Sequence, residues 1–486
     1  MVSVKHALCT ASENPLIGKV ARFFDGWIYP AVYAALAFVC SLTGGEYVFF
    51  ALTAAVVIFV CLFCKDTRGI LPPAVLVVYS MSWKHTTQPP YKSPFLNSLP
   101  FAVTVSVLGA LIVAAMIVRV VFFREKGAIV GSKTASGLLF LCAAFLLNGI
   151  FSKEFVPSDI LLGILIALSF GALFFFFGAT LKGEEKLGTY FAYLLSLASC
   201  IIFLQIVKLL LFGHSTPTGR IPVIEDGSIN KDLMIAGWGM SNNVGGMLAM
   251  FMPAQLYLAY KHRRGWLFYI FAFVQTGAIA FTLSRSSLLF GGAMLVAGAI
   301  LLSVIKSSYR TFFRIFNLCA VIGGIAFCIL FSEKIVDLFY VIFDRGFSDS
   351  NRFKIWKNGL INFLKDPLFG VGFYAPFYVD VNIENWFFPD MYHNIFVQIL
   401  ASCGLFGILA YFYHLSQVLN LFVRKFTAER LLFLAVFLML SGTSLLDNHL
   451  FHIFPAIVYS VTLCLWERDV RSEERFSPLL QERGHL

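Results

Sequence analysis

Charge is what this sequence has least of. Asp, Glu, Lys and Arg make up 13% of its 486 residues, against 59% hydrophobic residues. So few charges cannot cover the surface of a water-soluble fold, which excludes a soluble globular enzyme. There is no internal repeat with a period of about 20–50 residues, which excludes a solenoid. A low-complexity linker is also missing. The polar segment before Gly26 and the first apolar run lack a small-residue cleavage site, so no removable signal peptide is expected. The ten cysteines lie almost entirely inside apolar runs. Cys61 and Cys64 form a Cys-x-x-Cys without a polar neighbour and read as packing residues, not as a redox or metal pair. The formal charge of +10 could suggest a nucleic-acid partner. Its basic residues instead sit in short loops between apolar runs, so no nucleic acid is expected.

What is present is a series of apolar runs long enough to cross a bilayer, about 14 of them. They begin at Trp27–Leu42 and Tyr47–Cys64, with a short third run, Ile70–Trp83, weakened by Pro72-Pro73. Phe101–Phe123, Gly137–Phe151, Ile160–Leu181, Tyr190–Phe212 and Val244–Tyr260 follow. Trp266–Leu283 and Ser286–Ile305 are split only by Ser284-Arg285. Ile315–Phe331, Ile395–Val423, Leu431–Leu446 and Phe451–Trp466 complete the set. With the N-terminus inside, basic residues collect in the inner loops, at Lys65/Arg68, Lys182/Lys186, Lys261/Arg263/Arg264 and Lys306/Arg310/Arg314 among others. Both termini are therefore expected in the cytoplasm. The loops 213–243 and 332–394 and the Ser284-Arg285 break then face outside.

Three outer positions carry chemistry. Arg285, in Thr282-Leu283-Ser284-Arg285-Ser286-Ser287, separates two spans. An arginine there is costly unless it meets water, a partner or an anionic ligand. The plainer account is a snorkelling marker at a hairpin tip. Positive charge at an outer tip runs against the inside bias, which favours a functional account. Arg352 opens a segment to Lys365 in which Phe353, Trp356, Leu360 and Leu364 recur at helical spacing. This predicts a short amphipathic helix at the interface, whose lysines touch lipid headgroups. Pro367-Leu368-Phe369-Gly370-Val371-Gly372 then reads as a tight apolar turn. His393 stands where the long loop meets the next span. A lone histidine is more often structural, but here it is at a water–lipid boundary and able to accept a hydroxyl proton. His214 and His449 have no adjoining basic companion and are weaker candidates. His414 and His452 fall within apolar runs. Outer carboxylates are scarce, and Asp344, Asp349 and Asp390 show no ligand spacing, so no metal and no cofactor is expected.

The Thr-Leu-Ser-Arg-Ser stretch resembles the Ser-Arg motif of the O-antigen ligase family. Asn351-Arg352, Trp356 and Pro367–Gly372 resemble that family's outer loop. His393-Asn394-Ile395-Phe396 with Gly404-Leu405-Phe406-Gly407 resembles its His-Asn motif and the following span. Gly237-Trp238-Gly239-Met240-Ser241-Asn242-Asn243 looks like its Asn-Asn segment. The ordered set covers about Gly237–Leu409 and carries the resemblance; no single piece does. The family includes O-antigen ligases, O-antigen and capsule polymerases, and protein O-oligosaccharyltransferases.

The resemblance implies an all-α polytopic membrane protein with a GT-C-like glycosyltransferase architecture. The count of about 14 spans (12–14) exceeds the dozen usual in the family, so either the Pro72-Pro73 segment is re-entrant or extra spans have been added. Short amphipathic helices would lie in one large extracytoplasmic loop. It implies a bacterial cytoplasmic membrane, a polyprenyl-diphosphate-linked glycan donor, and a sugar hydroxyl on a glycan or lipid core as acceptor. Arg285 and Arg352 would hold the diphosphate and His393 would act as general base. Ser284, Asn394, Trp356, Tyr392 and Asn243 would contact substrate, and the anomeric centre would invert. On this reading the chain divides into an N-terminal bundle (1–236), the membrane part of the core (237–331), a catalytic loop (332–394), C-terminal helices (395–466) and a tail (467–486). The rival is a lipid-linked oligosaccharide flippase. Such proteins place charged groups along the bundle interior, whereas these spans hold almost no acid and only Arg119 and Lys208 as bases. A non-enzymatic scaffold would leave the Arg/Arg/His set unexplained.

Overall fold

A computed structural model describes residues 2–81, 99–125, 131–153, 155–182, 186–216, 219–225, 227–236, 239–333, 336, 352–373, 392–422 and 426–483. Asn351, Gly237, Trp238, the acids Asp344, Asp349 and Asp390, and much of the expected 332–394 loop lie outside the described residues. Among the described residues, seventeen α-helices run in chain order. They are α1 (Val2–Ser12), α2 (Pro15–Phe24), α3 (Ile28–Thr43), α4 (Glu46–Phe63), α5 (Leu71–Leu76), α6 (Leu99–Phe123), α7 (Ala135–Leu146), α8 (Pro157–Thr180), α9 (Leu187–Phe212), α10 (Ser241–Lys261), α11 (Gly265–Phe281), α12 (Arg285–Val304), α13 (Arg310–Leu330), α14 (Arg352–Lys365), α15 (Ile395–Phe422), α16 (Ala428–Asp447) and α17 (Ile453–Arg483).

Among the described residues, eight helices are long and apolar enough to cross a membrane: α4, α6, α8, α9, α12, α13, α15 and α16. Counting α2 and α3 as one span bent by 74° makes nine. The protein is thus a helical multi-pass membrane protein. The remaining expected runs are helical too. The Pro72-Pro73 run is short and broken, α7 has 12 residues and α11 has 17. α10 opens on Ser241-Asn242-Asn243, and α17 runs on into a charged stretch. Among the described residues, strands interrupt the helices in one region. Residues 214–229 form two small antiparallel hairpins, β1 (His214–Thr216) with β2 (Gly219–Ile221), and β3 (Ile224–Glu225) with β4 (Ser228–Ile229). Gly227, at φ +76°, supplies the left-handed turn that a two-residue hairpin connection requires.

α10 is the central helix. Every residue from Val244 to Ala259 is buried, which is what an element apolar on all sides requires. It packs on α9, α11, α12 and α16. Lipid tails are as apolar as Leu, so association here rests on close packing and interhelical hydrogen bonds. Buried Gln255 accepts from Ser196 Oγ at 2.9 Å, and Gln275 Nε2 donates to the Leu248 carbonyl at 2.5 Å. A second group joins α7, α8, α15 and α17.

α15 is broken. Gly404 has φ +64° and ψ −158°, which interrupts the helical ladder. The freed backbone groups are taken up by the Pro367–Gly372 turn. Val371 N donates to Ala401 O at 2.9 Å and Gly372 N to Ser402 O at 3.2 Å. In return, Leu405 N donates to Pro367 O at 2.8 Å and Phe406 N to Leu368 O at 3.1 Å. Non-helical backbone inside a membrane bundle is tolerated where protein partners satisfy it in this way. The approach is close enough that a Cβ on Gly404 would lie 2.5 Å from the Leu368 carbonyl carbon. The expected turn is present, and it is seated in the break of a helix. Its far side is fixed by Gly149 N donating to Phe369 O at 3.1 Å and Phe373 N donating to Asn148 Oδ1 at 3.0 Å.

Candidate active site

The ends of α12, α14, α15 and α16 converge at one end of the bundle. Arg285 is the first residue of α12, and Arg352 is the first residue of α14. A cation at a helix N-terminus opposes the helix macrodipole, at about 0.3–1 kcal/mol each. Helix stability therefore does not account for these two arginines. The turn before α12 directs Arg285 outward by fastening its neighbours inward. Ser284 and Ser287 are buried and their Oγ atoms lie 2.7 Å apart. Thr282 Oγ1 donates to Ile279 O at 2.6 Å, while Arg285 itself is exposed.

His393 sits just before α15, and its Nδ1 is 2.9 Å from Oδ1 of Asp447, the last residue of α16. The histidine side chain is 35% exposed and the aspartate only 6%. A carboxylate can only accept, so in the neutral ring the pair places the proton on Nδ1 and leaves the lone pair on Nε2. Three further bonds hold the pair. Asn394 Nδ2 donates to Leu445 O at 3.0 Å. Buried Gln398 accepts from Asn448 Nδ2 at 2.6 Å and from Tyr392 N at 3.0 Å through the same Oε1. Arg352, His393 and His449 all act electrostatically on the Asp447 carboxylate, so the four groups form one cluster. Burial lowers the His449 pKa; Asp447 opposes this shift, and His393 and Arg352 add to it.

The backbone is strained at the same place. Four non-glycine residues have positive φ among the described residues, and three are at this site: Leu283 (+52°) beside Ser284, His393 (+51°), and Asn448 (+35°) after Asp447. Such conformations cost about 1–3 kcal/mol each and persist where the surroundings over-determine them. Asp447 Oδ2, Asn448 Oδ1 and His449 Nε2 are buried without a hydrogen-bond partner among the described residues.

The packing of α12 on α16 sets the level of Arg285 relative to the cluster. Phe290 of α12 packs against Gly442 of α16, where a Cβ would lie 2.7 Å from the ring. Phe290 is five residues beyond Arg285, and Gly442 is five before Asp447. At 1.5 Å per residue, both ends stand about 7.5 Å from that contact, on the same side. Arg285 and Asp447 therefore share a level on neighbouring antiparallel helices.

The remaining expected site residues are mostly fasteners. Ser284 is buried in its serine turn. Asn394 Oδ1 caps α15 by accepting from Phe396 N at 2.9 Å and Val397 N at 3.1 Å. Tyr392 is buried, and its hydroxyl accepts from Asn362 Nδ2 at 2.8 Å. Trp356 is half-buried against Ile355, Tyr392 and Ala401. Its Nε1 has no partner among the described residues. Asn243 is half-buried in the first turn of α10. Sequence reasoning missed Asp447, the partner of the histidine; its signal is an acid followed by Asn448-His449 at a span end. No group of three or more His, Cys, Asp or Glu able to hold a metal ion occurs among the described residues.

These features define a multi-pass membrane protein with an arginine, histidine and aspartate cluster at the ends of its central helices. Residues 233–412 match the model of the O-antigen ligase family. The match includes Arg285, Arg352 and His393 and stops short of Asp447. No curated protein matches the chain.

Proposed function

We propose that this protein is a membrane glycosyltransferase that moves a glycan from a polyprenyl diphosphate to a sugar hydroxyl at the outer face of the cytoplasmic membrane, with both chain termini in the cytoplasm. The observation that carries this reading is the His393–Asp447 pair, with no hydrogen-bond partner on Nε2 among the described residues and Arg352 within electrostatic reach of the same carboxylate. The acceptor hydroxyl attacks the anomeric carbon while His393 Nε2 takes its proton. The bond between that carbon and the phosphate oxygen breaks, and the polyprenyl diphosphate leaves with the electron pair. The anomeric centre inverts in this single displacement. Arg285 and Arg352, each at a helix N-terminus, receive the growing charge of the leaving group. Arginine suits that role because its planar fork stays charged and gives paired donors. Asp447 fixes the tautomer and stabilises the imidazolium. Ser284, Tyr392 and Asn394 position these groups through the contacts described above. Trp356 and Asn243 line the approach for substrate, and the apolar bundle holds the polyprenyl tail.

Ligases and polymerases share the donor half of this reaction and differ in acceptor. The test uses purified protein in nanodiscs with a polyprenyl-diphosphate-linked repeat unit, first alone and then with a lipid-core acceptor. A ladder from donor alone identifies a polymerase, and a single shifted acceptor band a ligase. No product with either, over several donors, together with transbilayer movement of the donor, would replace the transferase reading by the flippase.

A further inference from the structure

Resting on the transferase reading, we propose that α10 is the spacer that sets the separation of the diphosphate-binding and base halves of the site. Gly245 and Gly246 are its positioning residues, and His449 is the ring that Gly246 seats. Consecutive helical residues point about 100° apart, so the two glycines meet different neighbours. A Cβ on Gly245 would lie 2.7 Å from Thr282 Oγ1 and 2.8 Å from Ser287 Oγ, within the turn that presents Arg285. A Cβ on Gly246 would collide with Nε2 and Cε1 of His449.

Neither neighbour is free to give way. Thr282 and Ser287 are fully buried, and their hydroxyls are held by the bonds to Ile279 O and Ser284 Oγ. His449 is 2% exposed, on a turn pinned by Asn448 to Gln398 and by Leu450 N donating to Ser444 Oγ at 3.0 Å. One added methyl must therefore shift a whole element. At Gly245 it moves the Arg285 turn. At Gly246 it moves His449 and, two residues earlier, Asp447, so that His393 loses its alignment. Asn242 and Asn243 lie one turn before Gly246 on the same face, which brings the Asn-Asn segment to the base side. Two identical substitutions one residue apart then have different kinetic signatures.

The experiment is steady-state transfer in nanodiscs with a polyprenyl-diphosphate-linked repeat unit as donor, comparing Gly245→Ala, Gly246→Ala, His449→Ala and the Gly246→Ala/His449→Ala pair. Gly245→Ala is expected to raise the donor KM about tenfold or more and to lower kcat as well, because Arg285 both binds the diphosphate and receives the leaving group's growing charge. Gly246→Ala is expected to lower kcat by about a hundredfold, the loss that a displacement of about 1 Å brings to a positioned group, with donor KM unchanged. Removing the ring in the Gly246→Ala background is expected to return kcat to that of His449→Ala alone, because the collision is gone. His449→Ala adds no atoms and stands as the test where a glycine variant fails to accumulate; it lowers kcat and leaves donor KM unchanged. The same kinetic change in both glycine variants, no recovery in the double variant, or wild-type kcat in His449→Ala overturns the proposal. Arg285→Ala and His393→Ala run alongside. If they stay active, the transferase reading itself fails; if they are inactive while the glycine variants give an overturning result, only the spacer is lost.

Discussion

His393 and Asp447 lie 54 residues apart in the chain and 2.9 Å apart in space, joining the start of α15 to the end of α16. Asp447→Asn keeps the shape of this contact and removes its charge. The amide oxygen can still accept from Nδ1–H, but the negative charge that favours the imidazolium is gone, and an amide turned the other way would face Nδ1 with its NH2. The expected result is a fall in kcat of about a hundredfold to a thousandfold, with little change in donor KM. Wild-type kcat in Asp447→Asn would remove the orienting role, and wild-type kcat in His393→Ala would remove the base.

Arg285 and Arg352 are expected to differ from lysine as well as from alanine. Alanine at either position is expected to lower transfer by about a hundredfold or more without loss of expression, and lysine restores only part of it, because a point charge does not reproduce the paired donors. Binding of a short-chain polyprenyl diphosphate, followed by calorimetry, should weaken in step. Undiminished binding in both alanine variants would place the diphosphate elsewhere.

Chelation should leave the reaction untouched. Arginines do the electrostatic work in the proposed mechanism, so EDTA is expected to change the rate by less than the assay error. Strong inhibition that magnesium or manganese reverses would require a metal in the mechanism.

The buried imidazole of His449 ties stability to pH. Its folded pKa is lowered from the ordinary 6.5, first by burial. Below about 6.5 the unfolded chain binds a proton that the folded protein does not, so this contribution is full above that pH and is lost as pH falls. Melting temperature in detergent should therefore drop as pH falls below about 6.5, and less steeply in His449→Phe. Parallel curves for the two proteins would mean that His449 does not titrate in this range.

Gly404→Ala tests the broken helix. Its left-handed φ and its contact with Leu368 both resist a Cβ. A loss of at least about 1–3 kcal/mol is expected, read as a lower melting temperature and faster amide exchange at Val371 and Gly372. An unchanged melt would mean that the turn and the break adjust freely.

The features legible in the sequence were those written in contiguous residues. The apolar runs gave the helices, and Arg285, Arg352 and His393 each sat in a recognisable segment. The Pro367–Gly372 turn was readable as a turn, but its seat at Gly404 was not, because that pairing is set by tertiary approach across more than thirty residues. Asp447 was hidden for the same reason, at the end of a different helix from its histidine. Ser284, Tyr392 and Asn394 show the converse: residue type announces a hydrogen-bonding group, but only packing decides that it faces inward. The hairpins of residues 214–229 have strands of two or three residues, too short for an alternating pattern to register.

The seating of residues 367–373 against 401–406 also limits how the protein can be recombined. The polar segment between α13 and α15 looks like a module to exchange between relatives for a change of acceptor. A chimaera spliced between Phe373 and Ala401 would put one parent's turn into the other parent's helix break, with four inter-segment backbone bonds to be rebuilt from mismatched halves. Junctions before Pro367 or beyond Phe406 keep both halves from one parent. Loop swaps that respect those borders should insert and fold, and those that cut between them should be degraded.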